Sequence, residues 1–213
     1  MRTKIKNAVS SRATAIGLPI LALCWVSFFW GTTWIASKKG VKHMPALQLV
    51  AIRQFLGGFL YISFFLYKKA PWPKGKQWKT IIILSILSFV LSNGLSTWGV
   101  KYISSGLGAI IGALVPLWIV IITFFRGERL SRLSVIGLII SFSGVCVIFY
   151  DHLSDFLIPS FRFGIIISLI STLTCAFGTL NTKKKAATFN PYFSLGLQMF
   201  LSSIILFAYN GAT

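Results

Sequence analysis

The fold class this sequence predicts is an all-α integral membrane protein built on inverted helical repeats. Three observations predict it: seven apolar runs of roughly membrane-crossing length, basic residues gathered in the connections between them, and a residue pattern that returns five runs later. Composition removes most alternatives. Of 213 residues, 55% are hydrophobic and only 11% charged, which lies outside the range of soluble globular domains. A net charge of +18 would suit a nucleic-acid binder only if the basic residues formed one patch; here they are spread over short loops, so no nucleic-acid partner is expected. Cys24, Cys146 and Cys175 lie inside apolar runs and show no CxxC spacing. They imply neither a disulfide framework nor a metal site, and no cofactor is expected.

A hydrocarbon core about 30 Å thick needs roughly 20 apolar residues at about 1.5 Å rise each. Residues 1–17 form a basic segment carrying Arg2, Lys4, Lys6 and Arg12, which superficially resembles a secretory signal. The apolar run behind it, 18–37, is longer than a signal's core of about 7 to 15 residues and reads as a retained first helix. Two further runs cover 46–67 and 80–100, and 104–150 holds a helical hairpin whose short loop, 126–132, is charged. A linker at 151–162, with Asp151, Asp155 and Pro159, leads to the last two runs at 163–180 and 192–209. In the fourth run Gly108 and Gly112 share a small-residue face suited to close helix packing, as do Gly137 and Gly144 in the fifth. Pro116 removes a backbone hydrogen bond near mid-membrane, a break that neighbouring helices or a cavity must satisfy and that often marks a transport site.

Lysine and arginine stay preferentially on the cytoplasmic side of short loops. With the N-terminus inside, the inner connections hold Arg2, Lys4, Lys6, Arg12, Lys68, Lys69, Lys74, Lys76, Lys79, Arg126, Arg129, Arg132, Lys183, Lys184 and Lys185, fifteen in all. The outer side has five: Lys38, Lys39, Lys42, Lys101 and Arg162. A cytoplasmic N-terminus is expected, in a bacterial inner membrane. The recurring pattern is Trp30-Gly31-Thr32 in the first run and Phe177-Gly178-Thr179 in the sixth, each followed by a lysine pair, a proline (Pro45, Pro191) and a glutamine (Gln54, Gln198). Runs one and six are an odd number of crossings apart, so the second copy enters the membrane upside down, a transporter architecture.

Trp30-Gly31-Thr32, Pro45 followed by Arg53, Ser104-Ser105-Gly106-Leu107 with Pro116, and Gly127-Glu128-Arg129-Leu130-Ser131 leading to Gly137 and Gly144 together resemble an EamA-type repeat of the drug/metabolite transporter superfamily. The resemblance covers 18–150 as a complete first repeat. It implies a carrier of ten helices in two inverted five-helix repeats, of which 163–213 would supply the first two helices of the second. The remaining helices are then expected from further sequence or from a second copy in a homodimer. Small metabolites or toxic compounds, commonly exported, are the implied solutes.

The substrate pathway is expected among Trp30, Arg53, Ser92, Asn93, Ser96, Trp98, Pro116, Asn181 and Gln198. Arg53 is the one charge inside a run and lies about 10 Å deep, against about 15 Å to the midplane. It either snorkels outward or offers a cationic contact to a substrate carboxylate. By spacing from its proline, Met199 is its counterpart in the second copy. Ser85, Ser88, Ser92, Ser96 and Gly99 draw a small polar stripe on the third run, with Asn93 beside it; Ser168, Ser171, Cys175, Gly178 and Thr182 draw a matching one on the sixth. Such stripes serve helix packing or line a pore. Trp118 could likewise line a cavity or simply pack, and Glu128 is expected to pair with Arg126 or Arg129.

Catalysis is not expected, because His43, His152, Asp151, Asp155 and Glu128 all lie outside the apolar runs and no intramembrane acid-base pair exists. A retinal-binding receptor would need a lysine within 192–209, which has none, and no carboxylate ring or filter loop points to a channel. The reading is a secondary transporter of small carboxylated metabolites such as amino acids, with efflux of hydrophobic or cationic drugs as the alternative. Since the runs contain no carboxylate, proton coupling would need a group from elsewhere. Inversion of the second copy puts Lys74 and Lys183 on one side of the bilayer; a membrane-impermeant amine reagent applied from that side should label both, and labelling from opposite sides would refute the inversion.

Overall fold

The computed structural model describes residues 2–128, 131–150, 152, 154–185 and 189–212, with backbone alone for 2–17, 183–185 and 212. The chain divides into two units, one up to Ala36 and one from Ser37 onward. The first is the greater part of α1 (Arg2–Gly40). Its large apolar side chains from Leu18 to Trp30 are exposed. Thr32 and Thr33 turn their hydroxyls back onto the carbonyls of Phe28 and Phe29, so that neither presents a bare polar group.

The second unit contains the last turn of α1, then α2 (Ala46–Tyr67), α3 (Lys76–Leu84), a π-helical segment (Ser85–Asn93), α4 (Gly94–Val100), α5 (Ser105–Gly112), α6 (Val115–Phe125), α7 (Arg132–Tyr150), a 3₁₀ turn (Asp155–Leu157), α8 (Pro159–Lys185) and α9 (Pro191–Ala212). Among the described residues, seven helical stretches are long and apolar enough to span a membrane: 18–40, 46–67, 76–100, 105–125, 132–150, 159–182 and 191–211. Their number agrees with the sequence, and no strand occurs among the described residues. Boundaries shift where local chemistry decides. The sixth helix starts at Pro159, inside the expected linker, because proline's fixed φ suits a first helical position. The third span starts at Lys76 rather than 80, one residue after Gly75 turns the chain at a φ of +47°.

Two helix pairs carry the packing. α2 lies along α9, and the approach depends on missing side chains: a Cβ on Gly58 would stand 2.6 Å from the backbone nitrogen of Phe200, and one on Gly196 would stand 2.5 Å from Cβ of Tyr61. Met199, the expected counterpart of Arg53, lays its methyl over Gly57. The second pair sets the third span against α8, where Gly99 faces Ser168, Gly164 faces Tyr102 and Gly178 faces Ser88. In lipid there is little hydrophobic gain from bringing helices together, so close backbone contact supplies the dispersion energy that does.

Apolar clusters fill the remaining space. Ile103, Leu107, Ile111, Phe161 and Ile165 pack where α5 meets α8; Phe65, Ile81, Phe193 and Leu197 join α2, α3 and α9; Val50, Ala51 and Leu206 sit deeper between α2 and α9. The fourth span is broken, as Pro116 predicts. The chain turns at Ala113 and Leu114, the NH of Leu114 reaches the carbonyl of Ile111 at 3.0 Å, and Pro116 falls in the first turn of α6. Gly137 and Gly144 are exposed, and a Cβ on either would meet nothing within 4 Å. The described residues place no helix against that face of α7.

If Gly58 sets the distance between α2 and α9, Gly58→Val should cost about 1–3 kcal/mol through overpacking, read as a fall in the thermal denaturation midpoint of the detergent-solubilised chain. Gly137→Val, at an open position, is the control and should leave the midpoint unchanged.

Candidate functional site

The centre of the second unit is organised by the π segment. Its turn is wider than that of an α-helix, and four of its carbonyls, those of Ser88, Phe89, Ser92 and Asn93, accept side-chain donors. Gln54 Nε2 donates to the Phe89 carbonyl at 3.2 Å, Asn93 Nδ2 to the Ser88 carbonyl at 2.9 Å, and Ser171 Oγ to the Ser92 carbonyl at 2.9 Å. These three donors come from α2, from the segment itself and from α8. Gln54 is only 2% exposed, and its amide oxygen accepts from Ser202 Oγ of α9. Ser85, fully buried at the start of the segment, donates to the Gln198 carbonyl at 2.9 Å. Polar side chains thus satisfy backbone that lipid could not.

Beside this frame stands Arg53, half-buried, one helical step from Gln54 on α2. Its Nη1 donates to Ser37 Oγ at 3.3 Å and its Nη2 to Asn93 Oδ1 at 3.5 Å. Both distances are long. Charge-assisted bonds to a carboxylate run at about 2.7–2.9 Å, and a guanidinium has five N–H donors to place. None of the chain's three acidic residues, Glu128, Asp151 and Asp155, falls within a spanning stretch. Arg53 is therefore oriented by neutral groups and has no anion supplied by these spans. Ser96, half-buried one turn beyond Asn93, donates to the Asn93 carbonyl at 3.2 Å.

The other expected pathway residues fall elsewhere. Ser92 is buried between the third span and α8, where the two small-residue stripes meet. Trp98 packs edge-on against Phe163 with ring centroids 5.5 Å apart. Pro116 is exposed at the break before α6, and Trp118 Nε1 donates to Thr172 Oγ1 at 3.0 Å. Asn181 bonds back to the Phe177 carbonyl of its own helix at 2.9 Å, and Gln198 Nε2 bonds Ser194 Oγ at 2.8 Å. Trp30 belongs to the first unit, where its side chain is exposed. Of the helix-packing glycines, Gly108 is buried and Gly112 half-buried in α5. Glu128 forms no ion pair with Arg126; Arg129, Leu130 and Asp151 lie outside the described residues.

Two residues of the site went unremarked in the sequence. Ser37 ends an apolar run and gives no sign of holding an arginine on the next helix. Lys38 reads as a loop charge, yet its ammonium donates to the carbonyls of Val100, Lys101 and Ile103 at 2.7, 3.2 and 2.6 Å, closing the end of α4. The helix dipole favours a cation at that position.

Comparison with known proteins agrees with this architecture. The model of the EamA-like transporter family matches residues 17–150. The chain is 28% identical over 191 residues to the uncharacterized transporter YvbV of Bacillus subtilis, covering 87% of this chain and 60% of that protein. It is 30% identical over 199 residues to an uncharacterized transporter of Buchnera aphidicola, covering 88% and 65% respectively. With the uncharacterized inner membrane transporter YedA of Escherichia coli it shares 25% identity over 165 residues, 76% of this chain and 53% of the other. The chain thus spans less than two thirds of the length of each of these relatives. No solved structure matches it. Seven apolar helices, a proline-broken fourth span and a family match across 17–150 make this chain a member of the EamA-like transporter family of integral membrane proteins.

Proposed function

We propose that the chain carries small carboxylated metabolites, amino acids among them, out across a bacterial inner membrane. Passage is by alternating access between two inverted repeats, with 18–150 as one and 163–213 belonging to the other. The N-terminus is cytoplasmic in this reading, as the fifteen-to-five distribution of lysine and arginine favours. The name of the YedA relative, an inner membrane transporter, supports the compartment.

Arg53 is the observation that carries the substrate class. A cation within a span costs on the order of 3 kcal/mol on insertion scales, and here Ser37 and Asn93 hold it through long contacts without neutralising it. A solute carboxylate would supply the missing charge and take the unused donors. Asn93 and Ser96 stand one turn apart on the same span and would meet the polar remainder of the solute. The same positive charge would disfavour hydrophobic cations.

The test is solute exchange in proteoliposomes with Arg53→Ala and Arg53→Gln, each checked for equal insertion. Exchange of carboxylated amino acids should fall at least tenfold, while that of the corresponding amino amides, which lack the carboxylate, should not fall. Equal exchange of the acids by variant and parent would leave Arg53 with only a helix-anchoring role.

A further inference from the structure

The turn joining α1 to α2 and the end of α4 enclose an open cleft of about 630 Å³ lined by Lys38, Lys42, His43 and Lys101, with Val41, Met44 and Pro45 as its apolar wall. Three lysines share this mouth, and none of the chain's three acidic residues lines it. Like charges so placed repel one another, so the fold must hold them there. Lys38 shows how. Three backbone carbonyls at the end of α4 take its three ammonium protons, which pins one positive charge at the floor of the cleft.

Lys42 and Lys101 differ from it. Both are exposed, and neither has a hydrogen-bond or ion-pair partner for its ammonium among the described residues; Lys101 stands only in loose contact, 5.8 Å, with the ring of Tyr102. His43 is likewise exposed and without a partner there. The cleft thus combines a fixed charge whose donors are spent with free donors at its rim. A low-dielectric wall beside charges of one sign concentrates their field and raises the local concentration of counter-ions.

We propose that this cleft is a binding site for an anionic group, a carboxylate or phosphate, with Lys42, Lys101 and His43 donating to it and Lys38 supplying fixed charge beneath. Such a group arrives either on a free solute or as the headgroup of an acidic phospholipid, and the chemistry of recognition is the same. The site does not depend on Arg53 contacting substrate, because every residue that forms it lies in the 38–45 turn or at Lys101.

The test measures acylation rates of individual lysines by peptide mass spectrometry, with the chain in phosphatidylcholine nanodiscs. Adding inorganic phosphate or acetate should slow Lys42 and Lys101 at least threefold relative to Lys39 and Lys68, compared with sodium chloride at equal ionic strength. Lys101→Gln should abolish the protection of Lys42. In a second arm phosphatidylglycerol replaces part of the phosphatidylcholine with no anion added. Protection there assigns the site to a lipid headgroup, and protection in the first arm alone assigns it to a free anion. If Lys42 and Lys101 react like Lys39 in both arms, or if chloride protects them equally, the cleft holds no anion site and the proposal is overturned.

Discussion

Hydrocarbon offers a backbone carbonyl no hydrogen bond, so any departure from the regular helix must be repaired by the protein itself. The third span departs from it over nine residues, Ser85 to Asn93. Gln54, Asn93 and Ser171 donate to its carbonyls, and through Gln54 and Ser171 the span is tied to α2 and α8. An unpaired buried amide group costs several kcal/mol, whereas a made bond contributes only about 1 kcal/mol net. The asymmetry means these bonds matter less as attractions than because they leave the amides of Gln54 and Asn93 and the hydroxyl of Ser171 paired away from water. Arg53 is placed by the same arrangement, because Asn93 both closes the segment and orients the guanidinium.

Around this polar centre the helices approach through absent side chains rather than through interlocking large ones. Gly58 and Gly196 set α2 against α9, while Gly99, Gly164 and Gly178 set the third span against α8. The cost of such closeness shows at Ser168, whose buried hydroxyl, packed against Gly99, has no hydrogen-bond partner among the described residues. Where no neighbour approaches among the described residues, as at Gly137 and Gly144 of α7, glycines leave only a smoother surface.

Much of this was legible in the chain because a membrane constrains sequence strongly. Apolar run length gives the seven spans, and Pro116 announces the break in the fourth. The serine and glycine stripes on the third and sixth spans were visible too; the structure brings them face to face, with Ser171 bonded to the Ser92 carbonyl. The change of helical pitch was not legible, since the serines and asparagine of Ser85–Asn93 fit a small polar stripe on an ordinary helix and two of the donors to its carbonyls, Gln54 and Ser171, are far away in sequence. For the same reason the roles of Ser37 and Lys38 were hidden. Each depends on a partner on another helix, which periodicity along one helix cannot report.

The turn at Ala113 and Leu114 has a mechanical meaning. α5 is bound into the cluster around Ile103 and Ile165, and α6 joins the same cluster through Leu117 and Trp118, whose indole also donates to Thr172. A rod cut at this place no longer transmits torque from end to end. Each half therefore seats against α8 through its own side chains, where an unbroken helix would have to fit along its whole length at once.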